Sequence, residues 1–225
     1  MSSSHVESRP SATGNGLWNT VKKQSQMAGK RASHVAQQTK IRAEMMMIDQ
    51  RMTKRKQRFG VELYDTLVLP ADQDPTFIIE SETLENIRGH FVTIFKDNKA
   101  LLQKRATQQQ LLVEVEERKE FAYPKVPCDT FGGQMKNAGK AANFLAEETM
   151  CKSKIAAIEK DMKNNKKKFG LEVYRLLAHL EDHQKWLSPD RDVRFLYDSA
   201  RRDVSKMLAE KQQKELDLNA VGSPM

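Results

Sequence analysis

His179 and His183 stand four residues apart, the spacing at which two imidazoles on one helix face can hold one metal ion. A site needs at least a third ligand, and none is evident: His34 and His90 stand far off along the chain. Cys128 and Cys151 show neither metal spacing nor a disulfide framework and read as free thiols in a reducing compartment. No Walker-type loop, no GxSxG and no dinucleotide fingerprint is present. The residues therefore predict no catalytic group, no metal and no cofactor, and a protein that is not an enzyme.

Positive charge is the stronger chemical signal. The chain carries a net charge of +8, spread unevenly. Residues 20–58 hold eleven Lys or Arg against two acids, Glu44 and Asp49, and residues 131–168 hold nine Lys against four acids. At the start of the first basic stretch, Leu17, Trp18, Val21, Ala28, Ala32, Val35 and Thr39 recur at steps of three and four. That spacing gathers them on one helix face, with Lys22, Lys23, Lys30 and Arg31 on the other. Tryptophan prefers the headgroup level of a bilayer, and a thin apolar face flanked by lysines suits a helix lying in an anionic interface. Leu17, Trp18, Val21, Lys22, Lys23, Lys30, Arg31, Lys54 and Arg55 are thus the candidate membrane- or anion-binding residues. The competing expectation is that these basic faces pair with acidic neighbouring helices, and that the Ala-Gly patch at 28–29 and 138–139 serves close helix packing. Nucleic-acid phosphates would suit the same lysines, but the basic stretches lack interleaved aromatic stacking platforms.

What positions these residues is a duplication. Residues 21–67 align without a gap on residues 131–177, an offset of 110, with 15 of 47 positions identical. Within it, Ile41, Met45, Ile48, Met52, Phe59, Leu63 and Leu67 fall at helical steps, and Cys151, Ile155, Ile158, Met162, Phe169, Val173 and Leu177 take the same places in the copy. Phe-Gly-x-Glu-x-Tyr occurs twice, at Phe59–Tyr64 and Phe169–Tyr174. A glycine inside a helix costs about 1 kcal/mol relative to alanine, so one kept in both copies implies a close crossing or a kink. Ile48, Met52, Phe59, Gly60, Tyr64, Ile158, Met162, Phe169, Gly170 and Tyr174 are the expected packing positions. Arg55, Lys56, Asn165 and Lys166 interrupt the seam at one level and predict a register-setting polar layer.

Pro70 and Pro75 are expected to end the first helix, and a second is expected from about Phe77 to Phe121 on the seam Leu84, Ile87, Phe91, Ile94, Asn98, Leu101, Arg105, Gln108, Leu112 and Val115. Its counterpart uses Val193, Tyr197, Ala200, Val204 and Met207, matched through Asp97/Asp203, Leu101/Met207 and Leu102/Leu208 at an offset of 106. The organisation predicted is a disordered tail over 1–16, a helical hairpin over 17–122, a linker over 123–130, a second hairpin over 131–217 and a flexible tail over 218–225. The fold class is all-α, two tandem long helical hairpins forming an elongated four-helix bundle or coiled-coil assembly.

Long helices behind a basic amphipathic N-terminal helix are similar in build to the N-BAR group, which implies a membrane-shaping role. The polar start MSSSHVESRP and the lack of an 18–20-residue apolar run favour a cytoplasmic protein, peripherally attached at most. The function expected is a non-enzymatic coiled-coil scaffold or adaptor on anionic membranes, with helical protein partners or a homodimer. A pure protein–protein assembly factor and a helical nucleic-acid binder are the alternatives.

Overall fold

The computed structural model describes residues 15–73, 85–122, 131–182 and 191–222. Four long helices account for all of these but a turn at residues 85–87, and no strand occurs among them. They are α1 (Asn15–Gln73), α2 (Arg88–Ala122), α3 (Phe131–Asp182) and α4 (Arg191–Gly222). The protein is an all-α helical bundle. The tail before residue 15 and the linker 123–130 lie outside the described residues, as does residue 84 of the second seam.

Three boundaries differ from expectation. Helix α1 passes through Pro70 and ends at Gln73. A proline so near a helix end removes one ladder bond, and burial of Leu67 and Ala71 holds the last turn in place. At the other margin, residues 77–84 lie outside the described residues; helix α2 begins at Arg88, after a turn closed by a bond from the Phe91 N–H to the Ile87 carbonyl. Helix α4 continues through residues 218–222, which were expected in a flexible tail. Leu218 and Val221 there remain partly covered, so the helical stripe still has surface to bury.

The chain divides into two compact units that cut across the two copies. One takes Met1–Gln50 and Met207–Met225, and the other takes Arg51–Lys206. In the first, α1 around Glu44 and Asp49 lies antiparallel to α4 around Lys211 and Lys214. Ile41 and Ile48 are buried, and Lys211 and Lys214 of α4 bridge to Asp49 and Glu44 of α1 at 2.8 and 2.7 Å.

The second unit holds the larger core. Its two first helices, α1 and α3, cross at Gly60 and Gly170, where each backbone rests on the other. Around the crossing Phe59, Leu63, Leu67, Phe91, Val173, Leu177 and Tyr197 are 3% exposed or less. Full burial of such side chains stabilises by roughly 1.5–3 kcal/mol each, so this cluster anchors the unit. The aromatic rings interlock: Phe59 meets Tyr174 and Tyr197 edge-on, and Phe91 meets Tyr64 and Phe169. Helix α2 starts against the end of α1, through Tyr64–Phe91 and Lys99–Asp72, and then rides along α3. Its pairs there are Asn98–Asn165, Arg105–Glu159 and Arg118–Glu147. Beyond its turn, therefore, each returning helix zips along the first helix of the other copy.

The expected seams face inward throughout. Every described seam position of α1, α2, α3 and α4 is buried or half-buried, including Ile158, Met52 and Met162. Cys151 stands where the first copy has Ile41, is buried like it, and serves as a small apolar seam residue.

Candidate functional site

The first helices are basic, yet the charges they use against their neighbours are mostly acids. Along α3, Glu147, Glu148, Glu159 and Glu172 receive Arg118, Lys119, Arg105 and His90 of α2. Glu181 of α3 receives Arg201 of α4, and Asp72 of α1 receives Lys99 of α2. Asp49 and Glu44 of α1 receive Lys211 and Lys214. Arg55 to Asp203 runs the other way, a first helix lending the cation to a returning helix. Several acids of the first helices are thus used in zipping, while cations such as Lys40, Arg42, Lys54, Lys136, Lys140, Lys154 and Lys163 stay exposed.

These pairs move titrations in the direction their geometry requires. The Lys214 ammonium holds the Glu44 carboxyl below its ordinary range, and the Arg55 guanidinium does the same for Asp203. Lys211 and Lys214 are held above theirs by Asp49 and Glu44. Burial pushes the Tyr64, Tyr174 and Tyr197 hydroxyls up, and the bond from Tyr197 to Glu181 at 3.0 Å adds to the last of these.

The expected anion-binding residues divide into three groups. Lys22 and Lys54 are exposed. Arg55 is turned inward: Nε donates to Asp203 Oδ2 at 2.7 Å and Nη2 to Ser199 Oγ at 3.3 Å. Its place at the polar interruption of the seam carried that signal, and it leaves the surface set. The side chains of Leu17, Trp18, Val21, Lys23, Lys30 and Arg31 lie outside the described residues, although α1 includes their positions.

The Ala-Gly patch has no packing role in the second copy. Ala138 and Ala142 are exposed, and a Cβ added to Gly139 would meet nothing within 4 Å. Gly60 and Gly170, by contrast, are close-packed backbone to backbone. The polar layer at the crossing is built by reciprocal contacts: the Lys56 ammonium lies 4.9 Å from the Tyr174 ring centre and the Lys166 ammonium 4.8 Å from that of Tyr64. Lys166 also reaches Asp65 at 2.6 Å, whereas the position matching Asp65 in the second copy is Arg175.

His183 lies outside the described residues, and no group of three or more His, Cys, Asp or Glu able to hold a metal occurs among those described. No described helix is long and apolar enough to cross a membrane. No family model, no curated protein and no solved structure, N-BAR proteins included, matches the chain.

Proposed function

We propose that the protein is a non-enzymatic helical scaffold that associates peripherally with anionic membrane surfaces through the basic N-terminal half of α1. The observation that carries this reading is the sign of the zipping pairs. Glu44 and Asp49 are the acids of residues 20–58, and both are bound to lysines of α4. Of the cations of the same stretch, Lys40, Arg42 and Lys54 are exposed and can face another surface. Near an anionic bilayer each such Lys or Arg contributes about 1 kcal/mol, screened over a Debye length of about 8 Å at physiological salt. Leu17, Trp18 and Val21 would add shallow insertion of an apolar face.

Co-sedimentation with vesicles of phosphatidylcholine alone and of phosphatidylcholine with phosphatidylserine tests the reading. Binding to the anionic vesicles, lowered several-fold in Trp18→Glu, is expected. Lack of binding, or equal binding by the variant, refutes it. Salt-sensitive binding to duplex DNA without lipid binding would move the lysines to a nucleic-acid role.

A second reading, a protein–protein assembly factor, is favoured by Val35, Met46 and Met47 of α1, which are 62%, 64% and 57% exposed. Light scattering separates it: a stable homodimer with no lipid binding would support assembly instead.

A further inference from the structure

The offset of 106 between the returning helices holds in three dimensions: Ile87, Phe91, Ile94 and Asn98 are buried, and so are Val193, Tyr197, Ala200 and Val204. At one place the two halves of the second unit part company. Arg55 lies half-buried, bonded to Asp203 and Ser199, with Nη1 3.5 Å from Glu62 Oε2. The matching residue of the second copy is Asn165, whose Nδ2 donates to Asn98 Oδ1 at 3.3 Å instead.

The arginine is gone, but its acceptors are not. Asp203 is matched by Asp97, Ser199 by Thr93 and Glu62 by Glu172. With Asn165, these three line a cleft of about 260 Å³ between α2 and α3. Asp97, Thr93 and Glu172 are exposed there, whereas Asp203, Ser199 and Glu62 are half-covered around Arg55. Asp97 has no ion-pair partner among the described residues. The Thr93 hydroxyl donates to the Gly89 carbonyl and can still accept. A larger cleft of about 640 Å³ shares Asp97, Asn165 and Lys168 and gives a ligand room to continue.

We propose that this cleft receives a guanidinium group, the side chain of an arginine presented by a partner protein. The chain itself displays the chemistry at the matching position: a planar fork whose donors meet one carboxylate, one hydroxyl and a second carboxylate. Lys168 lines the cleft and repels a cation, but its counterpart Arg58 stands 2.8 Å from Glu62 beside Arg55 without displacing it. His90 is the feature with no polar counterpart, since Leu196 takes its place. It holds Glu172 at 3.3 Å and must share that carboxylate with the ligand. An exposed site of this kind holds a lone guanidinium weakly, so useful occupancy requires the rest of a partner's surface.

The test titrates the full chain with N-acetyl-arginine amide while backbone and side-chain NMR signals are followed, with N-acetyl-lysine amide and agmatine in parallel. Saturable shifts at Thr93, Asp97, Asn165 and Glu172, with millimolar affinity, are expected for capped arginine, and agmatine should share them. Capped lysine should bind about fivefold more weakly or less, for want of the planar fork. Asp97→Asn should weaken binding by a similar factor. Asn165→Arg should fill the cleft from within, abolish binding and raise the melting temperature. Binding of agmatine without capped arginine would reassign the site to free amines and overturn the partner assignment. Equal binding of lysine, indifference to Asp97→Asn, or no saturable shift would overturn the proposal.

Discussion

A Cβ added to Gly60 would lie 2.1 Å from the Cα of Gly170, and one added to Gly170 would lie 2.5 Å from the Cα of Gly60. The obstructing atoms are backbone, so no side chain can swing aside. The crossing of α1 and α3 is therefore closed to every residue but glycine, and the seams on either side are held at the distance it sets.

Gly60→Ala should accordingly force the helices apart and loosen Phe59, Leu63 and Tyr174 together. Overpacking costs about 1–3 kcal/mol in a core that can adjust, and a backbone clash should reach at least the top of that range. Chemical denaturation measures it. A loss below about 1 kcal/mol would mean that the crossing yields easily.

Gly139→Ala is the contrasting case. The position is helical and nothing lies within 4 Å of the added methyl. The substitution should stabilise by up to about 1 kcal/mol from helix propensity alone, read in the same denaturation experiment. Destabilisation would show that the patch is packed after all.

The reciprocal lysines carry an asymmetry that can be repaired. Lys166 has Asp65, but the position that would serve Lys56 in the same way is Arg175. Arg175→Asp should supply the missing pair and add a few tenths of a kcal/mol, the usual worth of an exposed ion pair. A double-mutant cycle with Lys56→Met would reveal the coupling, and zero coupling would show that Lys56 does not reach that site.

Acid should weaken the protein through Glu44 and Asp203. Both carboxyls titrate below their ordinary values in the folded chain, held down by Lys214 and Arg55. A depressed folded pKa gives stability that is present above the unfolded value, about 4, and is lost as pH falls through the folded one. Unfolding followed from pH 6 to pH 2 should show stability falling below about pH 4. Glu44→Gln with Asp203→Asn should flatten that slope, and an unchanged slope would place the acid sensitivity elsewhere.

Much of this architecture was legible in the residues because helical periodicity is a strong signal when repeated. Ile41 through Leu67 and their counterparts face inward as their spacing requires, and two retained glycines announced the crossing. The partner of each returning helix was not legible. The seams of α1 and α3 are copies of one another, so α2 finds the same apolar stripe on either, and three-dimensional pairs such as Arg105–Glu159 and Arg118–Glu147 show which it follows. Pro70 misled because a local rule was overridden by burial of Ala71. The cleft beside Asn165 was hidden for a related reason. A change from Arg55 to Asn165 reads as drift until Asp97 and Asp203 are known to occupy matching places. Arg55 itself shows how a basic run mixes roles, since its neighbour Lys54 faces solvent while it turns inward.

The most direct measurement is vesicle affinity against salt, using the wild type and a variant with Lys22, Lys23, Lys30 and Arg31 all changed to Glu. If the cations of α1 are held for an anionic bilayer, the wild type should bind phosphatidylserine-containing vesicles with an affinity that falls as salt rises. The variant should lose at least about a hundredfold, given roughly 1 kcal/mol for each of the removed charges. Wild-type binding that ignores salt, or a variant that binds as well as the wild type, would contradict the account.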